Sequence, residues 1–76
     1  MAKQYPLNWA RIAEMDREPV EYRVVYEPTG RELTSTIPTR PATRRTIKEL
    51  ERRGYRFDDL AVLDLRTGRY VSWVQF

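Results

Sequence analysis

Thr-Gly-Arg occurs twice in this chain, at Thr29-Gly30-Arg31 and Thr67-Gly68-Arg69, 38 residues apart and each time between two apolar runs. Glycine enters left-handed backbone without a Cβ clash, and Pro28 pre-sets φ for the first central position of a turn. The pattern predicts two β-hairpins, each closed by a three-residue loop ending in glycine, at about 28–30 and 66–68. Strands are expected at about 20–27, 31–37, 60–65 and 69–76.

Helical spacing precedes each hairpin. Trp9, Ile12 and Met15 repeat at the period of a helix within Leu7–Met15, with Asn8 or Pro6 near its start. A second helix is expected over about 42–53. Gly54 suits the left-handed C′ position, which would bring Tyr55 at C″ onto Leu50 at C3. Its start has two readings: Arg40 as N-cap with Pro41 at N1, or Thr43 as a later cap.

These elements define an α+β class. The expected fold is a four-stranded antiparallel sheet from two β-hairpins with one or two helices, in αββαββ order, within a single small domain spanning 1–76. At the 38-residue offset Trp9 falls on Ile47, Ile12 on Leu50, Val25 on Leu63 and Leu33 on Val71. The stretches 1–38 and 39–76 therefore read either as an αββ pseudo-repeat or as two ordinary hairpins sharing turn chemistry.

Three-residue loops would pair Leu65 with Arg69, Leu63 with Val71, Ala61 with Trp73 and Val25 with Leu33. Alternation then places Val25, Leu33, Ile37, Leu63 and Val71 on the face expected beneath Ile47 and Leu50. The other face would carry Tyr22, Val24, Tyr26, Leu60, Val62, Tyr70, Val74 and Phe76. A face so apolar needs cover, from the first helix or from a second subunit. Tyr22, Tyr26, Tyr70 and Phe76 are its candidate protein-interface residues. Stacking of unpaired bases on them is the alternative, though the strands lack an RNA-binding signature.

Charge is unevenly placed. Arg40–Arg56 holds seven basic residues against two acids, a net of +5, while the whole chain is +3 and the other 59 residues are therefore −2. On a helical wheel with Ile47 at zero, Arg44, Lys48, Arg52 and Arg45 lie at about 60°, 100°, 140° and 160°, a single stripe. Like charges at i, i+4 oppose one another by about 0.2–0.5 kcal/mol per pair, and cations near a helix N-terminus oppose its dipole. An anion bound there relieves both costs. Arg40 and Arg56 extend the stripe on flanking chain, whereas Arg53 lies away from it and is assigned to Glu49 or to the helix C-terminus. The competing reading is a solvated face, paired in part by Glu49. Glu14, Asp16, Glu18, Glu21, Glu27 and Glu32 give an acidic portion that either steers a protein or complements the basic helix from within.

Catalytic signatures are missing from the sequence. There is no His and no Cys, and all three glycines are taken by turns or a cap. A non-enzymatic protein without cofactor or metal is expected. Met1–Pro6 has no apolar signal segment and no run is long enough to span a bilayer, so a cytoplasmic location without membrane contact is expected.

The leading expectation is a small basic binding domain docking on nucleic acid or a nucleoprotein complex through Arg44, Arg45, Lys48 and Arg52. The alternative is a small protein-binding inhibitor or adaptor, of the kind phages and mobile elements encode, acting by protein–protein contact and potentially as a homodimer. Seventy-six residues without a disulfide make a marginal core, which favours added burial.

Overall fold

A computed structural model describes residues 9–71. In chain order it contains α1 (Trp9–Arg17), β1 (Tyr22–Tyr26), β2 (Arg31–Glu32), α2 (Arg40–Arg52), a 3-10 turn at Phe57–Asp59, β3 (Leu60–Asp64) and β4 (Arg69–Tyr70). The strands form one antiparallel sheet in the order β2-β1-β3-β4, so the αββαββ α+β architecture holds. Leu7, Asn8, Trp73, Val74 and Phe76 lie outside the described residues, as do the side chains of Trp9 and Ile12.

The backbone repeats itself at the 38-residue offset. β1 and β3 have equal lengths at that spacing, as do β2 and β4. The central pair is registered so that Val24 faces Val62, its own counterpart, which puts a local two-fold axis through that pair. Hydrogen bonds follow the same symmetry. Leu33 N–H donates to Val24 O and Val71 N–H to Val62 O, while Glu27 N–H donates to Asp59 O and Leu65 N–H to Glu21 O, all at 2.8 Å.

Both hairpin loops hold four residues, 27–30 and 65–68, with pairs Tyr26↔Arg31 and Asp64↔Arg69 at their bases. Gly30 and Gly68 take φ of 75° and 72°, the left-handed conformation expected of them, but as the fourth loop residue. Each donates its N–H to the residue before the loop, Tyr26 or Asp64, at 2.8 Å. The threonine ahead of each glycine accepts from the arginine N–H after it, Thr29 from Arg31 at 3.3 Å and Thr67 from Arg69 at 3.2 Å. Those bonds give Thr-Gly-Arg its structural meaning: turn glycine flanked by a short side-chain brace.

The extra loop residue corrects the expected register. Leu63 pairs with Tyr70 rather than Val71, and Val25 with Glu32 rather than Leu33. Leu33, Ile37 and Val71 pack on the core under α2 as expected, but the shift sets Val24 and Val62, in place of Val25 and Leu63, beside Leu33 and Val71. Consequently α2 covers Tyr22, Val24, Leu60 and Val62, the set expected on the uncovered face. These pack with Val20, Ile37, Ile47 and Leu50, and Leu33, Ala42, Tyr55 and Val71 close the rim. Val25, Ala61 and Leu63 belong to the opposite face; Val25 and Ala61 are buried there as well.

The second strand is broken. After Glu32 the chain swings out and rejoins at a single bridge, Tyr22↔Ile37. Within the gap the Thr34 hydroxyl accepts from Val24 N–H at 3.1 Å, replacing a backbone partner. Pro38 ends this segment at the sheet edge, where a missing donor costs nothing to a ladder; its carbonyl still accepts from Val20 N–H at 2.9 Å.

The sequence of α2 accounts for its limits. Thr39 is the N-cap, accepting from Ala42 N–H at 3.2 Å, with Arg40 and Pro41 in the first turn. Neither expected start is the cap: Arg40 is already helical, and Thr43 is buried with its hydroxyl donating to Thr39 O at 2.8 Å. The C-terminus follows expectation. Gly54 has φ of 105°, its N–H donates to Glu51 O at 3.0 Å, and Tyr55 N–H reaches Leu50 O at 3.1 Å, a Schellman closure. Burying Ile47 and Leu50 contributes roughly 1.5–3 kcal/mol each and fixes which side of α2 meets the sheet.

Candidate nucleic-acid interface

The basic residues of α2 divide by what surrounds them. On the flank next to α1, Arg44 makes a two-point ion pair with Asp16, Nη1 to Oδ1 at 3.2 Å and Nη2 to Oδ2 at 2.8 Å. Both side chains are partly buried. The Arg44 hydrogen bond holds the Asp16 carboxyl below the ordinary aspartate value near 3.8; partial burial opposes this, and the positive fields of Arg44 and Arg40 reinforce it. Arg40 is also turned inward. Its Nη1 donates to Met15 O at 3.0 Å, its guanidinium lies 5.9 Å from the Tyr22 ring centroid, and its Nε is buried with no hydrogen-bond partner. These two arginines join α1 to α2.

The outward side of α2 is different. Arg45 and Lys48 are exposed and make no ion pair among the described residues. Arg52 is exposed and touches Glu49 at 3.4 Å, an i, i+3 surface contact of little strength. Arg53 is exposed at the helix end, and Arg56 meets Asp58 only at 4.0 Å with both side chains largely in solvent. The expected stripe thus loses Arg44 and Arg40 to structure and keeps Arg45, Lys48 and Arg52, with Arg53 and Arg56 continuing around the C-terminus.

The expected aromatic platform does not form on one face. Tyr22 is 3 % exposed beneath α2. Tyr26 is half-buried on the same face, edge-to-face with Tyr55 at 5.9 Å between centroids. Tyr70 sits on the opposite face, beside Leu63, and is 55 % exposed. Phe76 lies outside the described residues. The shifted register is the physical reason: it puts Tyr22 and Tyr26 under the helix and Tyr70 away from it.

Sequence reasoning missed the partner of Arg44. Asp16 is 28 positions away and no local spacing joins them. The acidic portion does complement the basic helix at this one point; its other charges go elsewhere, Glu21 to Arg66 at 2.9 Å and Glu32 to Arg23 at 2.7 Å. Of the two readings for Arg53, the structure has the helix C-terminus, where it is the C-cap, while Glu49 meets Arg52. A concavity of about 440 Å³ opens at the end of α2, lined by Tyr26, Arg53, Gly54, Tyr55, Arg56 and Asp59.

Among the described residues no group of three or more acidic side chains is placed to hold a metal ion, and no helix is long and apolar enough to cross a membrane. Comparison with protein-family models, curated proteins and solved structures finds no match for this chain.

Proposed function

We propose that this is a non-enzymatic binding domain whose helix α2 docks on the phosphate backbone of nucleic acid, free or within a nucleoprotein. The observation that carries this reading is the outward side of α2, where Arg45 and Lys48 stand exposed and without an ion pair among the described residues. Arg52 joins them, held only by a weak contact to Glu49. Three cations on the helix, with Arg53 and Arg56 just beyond its end, neutralise phosphates, release counterions and position the domain without reading bases. Micromolar, salt-sensitive binding is the expected regime, with Kd of about 10⁻⁴–10⁻⁶ M.

A retardation assay with duplex and single-stranded oligonucleotides at low salt tests it. Arg45→Glu combined with Lys48→Glu should weaken binding at least about tenfold. No shift of the unaltered protein with either form would exclude the reading.

A second reading, a protein-binding inhibitor or adaptor, rests on Tyr70. Its ring is exposed on the sheet face away from α2, next to half-buried Leu63. Partners retained from lysate after nuclease treatment, and lost in Tyr70→Ala, would favour it. Solution mass separates a homodimer from both.

A further inference from the structure

We infer, resting on the nucleic-acid reading, that the concavity at the C-terminal end of α2 takes an unpaired guanine nucleotide of a single strand. Its volume of about 440 Å³ lies within the range of small-molecule sites, roughly 300–1,000 Å³. Its lining combines three chemistries. Tyr26 and Tyr55, both half-buried and edge-to-face at 5.9 Å between centroids, supply an aromatic wall for a base. Arg53 and Arg56 flank Tyr55 in the chain, are exposed, and supply cations for the phosphates on either side. Asp59 is half-buried in the lining, and its carboxylate has no hydrogen-bond partner among the described residues.

That carboxylate selects the base. Guanine presents two adjacent donors, N1–H and N2–H₂, on its Watson–Crick edge, and an ionised carboxylate has two acceptor oxygens and no donor. Adenine offers an acceptor at N1 beside its amino group and meets one oxygen unfavourably. Pairing hides this edge in a duplex, so the site requires a single strand.

The fold does not demand this lining. The strand position related to Tyr26 by the internal two-fold is Asp64, which caps its own loop by accepting from Arg66 N–H at 2.9 Å.

Backbone amide shifts under titration with guanosine 5′-monophosphate, up to about 10 mM, test the site apart from helix docking. Gly54, Tyr55 and Glu27 amides should move, the last because it donates to Asp59 O. Adenosine 5′-monophosphate should move them at least about fivefold less at equal concentration, and Asp59→Ala should erase that difference with the fold intact. Amides unmoved by the guanine nucleotide, or moved equally by both, would overturn the site. A glutamate-rich peptide moving them more than the nucleotide would also overturn it, assigning the concavity to a protein ligand. Loss of duplex binding with the guanine response intact would fault helix docking alone.

Discussion

Asp16 and Arg44 form a two-point ion pair that links α1 to α2. Replacing Asp16 by Asn leaves a partly buried guanidinium without its counter-charge and should cost about 1 kcal/mol at neutral pH, discounted for the solvent that still reaches both groups. The folded-state value of Asp16 is lowered, so its contribution is fully present above the ordinary value near 3.8 and is lost as pH falls through the lowered one. Thermal melts of the two proteins should therefore converge below that pH; a gap unchanged at pH 2 would show that the pair is not its cause. Two further residues end α2. Thr39→Ala removes the side-chain acceptor for Ala42 N–H and should cost about 1 kcal/mol. At Gly54 an added Cβ would meet nothing within 4 Å, so the strain of φ 105° alone sets the penalty, about 1–2 kcal/mol for Gly54→Ala by chemical denaturation.

The elements themselves were legible. Both hairpins, both helices and the Gly54 closure follow from turn chemistry and apolar spacing. The faces of the sheet were not, because one residue of loop length decides them. Glycine ends a three-residue or a four-residue loop equally well, and both offer an αL site. The strands add no correction: Tyr22, Val24, Leu60 and Val62 are as apolar as Val25, Ala61 and Leu63, so either face can serve as core. Mutational cost distinguishes the two registers. Val62 is 1 % exposed beneath α2, and Val62→Ala should lose about 2 kcal/mol. Leu63 is half-buried on the other face, and Leu63→Ala should cost no more despite its larger side chain. A clearly larger loss at Leu63 would restore the register with three-residue loops.

For the molecule as a whole, the basic segment divides into two groups that composition cannot separate. Arg40 and Arg44 face α1 and hold the helices together; Arg45, Lys48 and Arg52 face solvent. The wheel placed Arg44 within the stripe, yet its neighbour across space comes from α1, and only tertiary structure brings Asp16 there. The exposed cations Arg45, Lys48 and Arg52 were thus legible as a stripe, but Arg40 and Arg44 were placed with them although both turn to α1, and Tyr55 was left out because it was fully accounted for as a cap contact.

Salt dependence separates these two groups of arginines most directly. For duplex DNA, the slope of log affinity against log salt should be about −3 to −4.5, matching three to five contacts from the exposed cations of α2 and its C-terminal turn. Arg45→Ala and Lys48→Ala should each reduce its magnitude by about 1 while leaving the thermal midpoint unchanged. Arg44→Ala should lower the midpoint and leave the slope as it was. A slope indifferent to Arg45 and Lys48, or one that falls with Arg44 instead, would contradict docking through the outward face of α2.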